Sequence, residues 1–157
     1  MIELNKKTQQ DFLNREWVQR LLDAGVDMSD AKYRIITVSK TGIDYIILST
    51  RLHEREDWLD KITDNIPTYT VSELLYKLHE WIYPTIDGEK YSGGLKFCKD
   101  APFYIFYYHL ENEYKKWNED FRAEFEYPIE SLAGLLIQCH TKDIGMKYPD
   151  AGDISDK

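Results

Sequence analysis

The sequence predicts an α+β fold, an antiparallel sheet flanked by helices in the order α-β-β-α-β-β-α. Two observations carry this. Apolar residues recur at helical spacing in three separate stretches, and between those stretches lie two pairs of β-rich runs, each pair joined by a short turn. The repeated order suggests a degenerate αββ unit written twice and closed by a third helix. At 157 residues the chain fits one domain, and a domain of this size buries roughly 68–70% of its unfolded surface. That domain is expected over residues 1–146, with a loose acidic tail over 147–157.

The first helix is expected to start near Thr8, with Asp11 in its first turn. Leu13, Trp17, Leu21 and Ala24 form its stripe. Gly25 is placed to end it in a left-handed cap, with Val26 as the hydrophobic follower. Ser29-Asp30-Ala31 makes a polar turn. Tyr33–Val38 and Ile43–Ser49 then read as a hairpin around Ser39-Lys40-Thr41-Gly42, with Gly42 at positive φ. The charged segment RLHEREDWLDKITDNIP, residues 51–67, reads as an exposed loop with a short helix.

PTYTVSELLYKLHEWI gives the sharpest local signal. Thr70 and Glu73 have the spacing of a capping box, and Tyr69 and Leu74 occupy the positions of a hydrophobic staple. Val71, Leu74, Leu75, Leu78 and Ile82 are expected on the buried face. Asp87-Gly88 marks a tight turn. A strand follows from about Tyr91 to Cys98, with Gly93-Gly94 read as a bulge or bend. After the turn at Lys99–Pro102 comes FYIFYYHL, residues 103–110. As a strand it is apolar on both faces, which suits a central strand with helices on each side. The rival reading is one wet aromatic face for stacking the bases of single-stranded nucleic acid. The last helix starts at Pro128, with Glu130 in its first turn. Ile129, Leu132, Ala133, Leu136 and His140 line its inner side, with Leu135 and Cys139 alongside.

The formal charge is −8, from 28 acidic and 20 basic residues. That opposes direct binding of nucleic acid or of an anionic membrane, which need clustered Lys and Arg. No apolar run is long enough for a membrane span, and MIELNKKTQQ lacks the core of a signal peptide. Cys98 and Cys139 stand apart, as reduced thiols do in a cytoplasmic protein.

Chemistry does not converge in the sequence. His53-Glu54 and His79-Glu80 never extend to HExxH. His53, Glu54, Glu56 and Asp57 read better as a solvated loop than as a hard-metal site. His109 and Glu111 alternate onto one strand face and with His140 would make a two-His-one-carboxylate set. A strand end and a helix end explain these histidines as well. Cys139-His140 are adjacent on a helix and about 100° apart, and Cys98 lacks an activator. Neither metal nor organic cofactor is called for, and no catalytic residue stands out.

WVQRLLDAGVDMSDAKY, IPTYTVSELLYKL, IDGEKYSGGLKF and YPIESLAGLLIQ, in that order, carry a resemblance. They resemble small uncharacterised α+β proteins encoded in phages, prophages and mobile elements of gut Bacteroidetes, over about two-thirds of the chain. The chain departs from that pattern at Lys32, where an acid is common, at Tyr69, where Trp is common, and at Tyr127, which replaces a capping Thr. The shared residues are caps, turns and core positions. The resemblance therefore implies fold and genomic setting and transfers no catalytic residue.

An accessory protein acting through protein contacts is the expected class. The alternatives are an acidic decoy that inhibits a nucleic-acid-binding host protein, and an enzyme whose residues meet only in the fold. ENEYKKWNEDFRAEFE, residues 111–126, departs most from the family. It holds six acids and three bases. At helical spacing Tyr114, Trp117, Phe121 and Phe125 form a stripe. Such a stripe packs over the edge of the protein's own sheet or meets a protein partner or a second copy, with Trp117 as anchor, and Tyr114, Trp117 and Phe121 are the candidate contact residues for the second outcome.

Overall fold

The structure, a computed structural model, describes residues 2–54 and 61–142. The fold is α+β with antiparallel sheets and three α-helices. The chain divides into two compact units, residues 1–74 and 75–157.

In the first unit α1 spans Arg15–Asp23, not a helix from Thr8. Asn14 is its cap, accepting the Trp17 N–H on Oδ1 at 3.1 Å. Thr8 instead closes a preceding turn, where its hydroxyl accepts the Asn5 N–H. The C-terminus ends as the sequence indicates. Gly25 has φ +87°, its N–H reaches Leu22 O and the Val26 N–H reaches Leu21 O. This is a Schellman cap with buried Val26 against buried Leu21.

The sheet of this unit runs β1-β3-β2-β4: β1 is Ile2–Glu3, β2 Tyr33–Val38, β3 Asp44–Leu48 and β4 Ile62–Thr68. Gly42 sits at φ +65° in the β2–β3 turn. A short 3₁₀ helix covers Ser49–Glu54. β4 corrects the loop reading over residues 62–67. In ITDNIPT exposure, not polarity, alternates from Ile62 to Ile66, and Pro67 is tolerated because β4 lies at the sheet edge.

Arg15 fastens α1 to this sheet. Thr37 pairs with Asp44 on one side and Asp64 on the other, so the three share one row of one face. The Arg15 guanidinium donates through Nε and Nη2 to the two Asp44 oxygens, both at 2.9 Å. It also bonds Asp64 and the Thr37 hydroxyl, and that hydroxyl donates to Asp44 at 2.7 Å. Partial burial resists ionisation of Asp44. The hydrogen bonds from Arg15 and Thr37 outweigh it and hold the carboxyl below its ordinary range.

Helix α2 spans Val71–Lys77, shorter than its sequence suggests. Thr70 Oγ1 accepts the Glu73 N–H at 3.3 Å and Glu73 Oε1 accepts the Thr70 N–H at 3.1 Å, which completes the capping box. Tyr69 and Leu74 are fully buried, as a staple requires. The Tyr69 hydroxyl also donates to Asp30 at 2.5 Å.

The second unit has a sheet with the path β10-β8-β7-β5, to which β6 adds on β7 and β9 on β8. Its strands are β5 Trp81–Ile82, β6 Thr85–Ile86, β7 Glu89–Asp100, β8 Phe103–Asn112, β9 Trp117–Asn118 and β10 Arg122–Phe125. Asp87 and Gly88, both at positive φ, make the two-residue β6–β7 turn. β7 and β8 pair without a shift from Tyr91–Asn112 to Asp100–Phe103, so Gly93-Gly94 is not a bulge. A Cβ at Gly93 would stand 1.8 Å from the His109 carbonyl oxygen, a backbone approach that only glycine permits.

Helix α3, Pro128–Thr141, starts at the expected proline. Ile129, Leu132, Ala133, Leu135, Leu136 and Cys139 are buried, and His140 is exposed. Two polar side chains tie α3 to β10. Gln138 accepts the Arg122 N–H at 2.8 Å and donates to the Arg122 carbonyl. The Ser131 hydroxyl accepts the Phe125 N–H at 3.0 Å and donates to the Tyr104 carbonyl at 2.6 Å.

The expected order is corrected, because β1, β4, β5, β6, β9 and β10 are added to it. The two units are also not copies of one αββ plan. In the first, the strand after the hairpin returns to pair with the hairpin's first strand; in the second, β10 pairs with the hairpin's second strand. The 147–157 tail lies outside the described residues.

Two substitutions test these attachments. Thr70→Ala should cost on the order of 1 kcal/mol in urea unfolding, and a loss below a few tenths would mean that the cap does not secure α2. Arg15→Ala should cost roughly 1–2 kcal/mol, the range for exchanged charged hydrogen bonds at a part-exposed site. A lowered Asp44 pKa contributes stability above roughly pH 4 that is lost as pH falls through the folded value. Arg15→Ala should therefore flatten stability against pH below that point, and an unchanged acid limb would exclude the linkage.

Candidate interaction surface

Helix α3 decides which face of the second sheet is covered. Directly paired residues of an antiparallel ladder share a face. Ala123 pairs with Phe106 and Phe125 with Tyr104, and Gly134 of α3 presses on that face. A Cβ there would be 2.9 Å from the Phe125 ring and 3.2 Å from Ala123. Tyr104, Phe106, Tyr108 and Leu110 therefore point to the α3 side. Phe103, Ile105, Tyr107, His109 and Glu111 point away. Of these Ile105 is buried, Tyr107 and His109 are half-buried, and Phe103 and Glu111 are exposed. FYIFYYHL thus has buried residues on both faces, Tyr108 and Leu110 on the α3 side and Ile105 on the other, and the second face is exposed only in part, at Phe103 and at Glu111.

That second face carries an aromatic row. β5 sets Trp81 opposite Gly94, and Gly94 is opposite His109. The Trp81 ring lies 3.2 Å from where a Cβ of Gly94 would stand, so the indole rests on the glycine, as aromatics do over strand glycines. The His109 ring meets Trp117 edge-on, with centroids 4.2 Å apart and planes at 89°. Its Nδ1 lies 3.1 Å from Glu119 Oε1. Glu111 is directly opposite Trp117. In the neighbouring row Tyr107 stands between Lys96 and Arg122. Trp81 is 49% exposed and Trp117 65%.

Asn112 sets the position of Trp117. Buried at the end of β8, it accepts the N–H groups of Tyr114 and Lys116 on Oδ1 at 3.0 and 2.9 Å. Its Nδ2 donates to Glu89 at 2.7 Å. The tight turn this creates, with Lys115 at φ +59°, returns the chain onto β8 as β9.

The helical reading of residues 114–125 is therefore corrected, since they form a turn and two strands. Tyr114, 70% exposed, and Trp117 are on the surface. Phe121 is fully buried, with Lys142 Nζ 4.6 Å from its ring centroid, and offers no contact surface. Trp81, read from sequence as part of a helix, belongs to the row. Its position opposite a Gly-Gly pair is the signal, visible once β5 is recognised as a strand.

The other candidates separate. His109 lies on the open face and His140 on α3, which packs against the opposite one, so the two do not meet. Cys98 is exposed opposite Ile105, four residues along β7 from the His109 row, or about 13 Å. Cys139 is buried. Burial lowers the pKa of His79, whose carbonyl accepts the Tyr108 hydroxyl at 2.5 Å. The side chains of residues 53–57 lie outside those described. Among the described residues no three His, Cys, Asp or Glu side chains gather as a metal site, and no helix is long and apolar enough to cross a membrane.

What the row offers is aromatic area with polar tips, held on a rigid ladder. Comparison with protein-family models, with curated proteins and with solved structures found no match to this chain.

Proposed function

We propose that the protein is an accessory protein of a phage or mobile element that works in the cytoplasm by binding another protein. Its contact surface is the open face of the second sheet. One observation carries this reading: Trp81 and Trp117 stand 49% and 65% exposed on a hydrogen-bonded ladder, with His109 edge-on to Trp117. Indoles held in one orientation lose little freedom on binding and are the residues that most often dominate protein contacts. The mobile-element setting rests on the sequence resemblance, and the cytoplasm on Cys98 and Cys139, both free thiols.

The test is the double variant Trp81→Ala/Trp117→Ala. The wild-type protein should capture a defined host protein from lysate, and the variant should lose it by about tenfold or more. Circular dichroism and melting temperature should stay within a few degrees. Unchanged capture would show the face to be idle, and an unfolded variant would show the two indoles to be core.

A further inference from the structure

We infer that the partner presents an arginine-bearing segment, seated over Trp117 between Glu111 and Glu119. This rests on the reading of the open face as the contact surface and names the chemistry that the face selects.

The chain itself shows the arrangement. In α1 the Arg20 guanidinium carbon lies 4.7 Å from the Trp17 ring centroid, and Arg20 Nη2 lies 2.7 Å from Glu16 Oε1. A guanidinium over an indole with a carboxylate beside it satisfies both the cation and its N–H groups. The open face presents the same two parts outward. Trp117 has Glu111 directly opposite it, and Glu119 follows two residues later. Glu119 is fixed toward the indole through His109, which touches both. Outside this core lie exposed Glu113, Tyr114, Lys115, Lys116 and Asp120, a rim of mixed charge with one further aromatic.

Charge selects among the occupants. Phosphates of a nucleic acid would meet Glu111 and Glu119 beside the indole and Glu124 further along the face, while the basic residues Lys90, Lys96 and Arg122 stand in other rows and Lys115 and Lys116 in the turn before Trp117. A second copy would bring the same carboxylates and the same −8 net charge, and like charges set opposite one another are unfavourable. A basic segment meets complementary charge, and the field of the whole chain speeds its approach. Arginine fits better than lysine here, because its plane stacks on the ring while its fork reaches a carboxylate.

The experiment uses a labelled ten-residue peptide of alternating arginine and glycine, with its lysine analogue and a ten-nucleotide oligothymidylate as competitors. Fluorescence anisotropy is read at low and at physiological salt. The arginine peptide should bind best. Trp117→Ala should weaken it about tenfold although that change removes no charge, and Glu111→Gln/Glu119→Gln should weaken it similarly. Tyr76→Ala, at an 89% exposed site elsewhere, should leave it unchanged. Binding that ignores Trp117→Ala would be mere attraction to an acidic protein and would overturn the inference. So would preference for the oligothymidylate, or indifference between arginine and lysine. If the peptide fails while lysate capture still depends on Trp81 and Trp117, only the arginine assignment falls. If both fail, the contact surface falls as well.

Discussion

The attachment of α3 to one side of the second sheet is the constraint on which the rest of that unit depends. Two kinds of force act along the same helix. An apolar stripe from Ile129 to Cys139 is buried, and Ser131 and Gln138 hold main-chain groups of β10 and β8. These two residues are seven apart, or two turns, so they lie on one side of the helix and about 10.5 Å apart along it. Arg122 and Phe125, three apart on a strand, span about 10 Å. Helix and strand are thus in register, and α3 cannot slide along β10 without losing both contacts.

From this follows an asymmetry between the faces of β8. Tyr108 and Leu110 go into the core with α3, while His109 and Glu111 are left on the other side. A sheet covered on one face alone normally alternates apolar and polar residues. Here the face away from α3 has kept aromatics and buries Ile105, and the exposed indoles come from the short flanking strands β5 and β9 rather than from the long hairpin. The backbone of the hairpin places them: Gly93 and Gly94 let His109 and Trp81 approach, and Asn112 turns the chain so that Trp117 returns beside them.

The parts legible in the sequence are those fixed by neighbours within a few residues. The Thr70–Glu73 box, the Gly25 cap, the Gly42 and Asp87-Gly88 turns and the Pro128 start all act locally, so their residue types carry the signal. What misled were patterns that fit two periods. Tyr114, Trp117, Phe121 and Phe125 fit a helix, but Phe121, Ala123 and Phe125 fit a strand equally well, and pairing with β8 decides the matter. Trp81-Ile82 continued a helical stripe until Glu80 and Trp81 were drawn to β7, where the Leu95 N–H donates to Glu80 O at 2.8 Å. β4 was hidden by its charges and Pro67, which an edge strand accepts. The aromatic row combines residues from four strands and exists in no single stretch of sequence.

The Gln138 amide has a chemical consequence of its own. It satisfies both outward main-chain groups of Arg122 at the margin of the sheet, the place where a further strand from another molecule would otherwise add. The amide is needed for this because it donates and accepts at once. Hydrolysis of that side chain to a carboxylate would keep the bond from the Arg122 N–H and set two oxygens against each other at its carbonyl. A change of one functional group would thus weaken the hold of α3 on β10 and leave one carbonyl at the sheet margin without its donor.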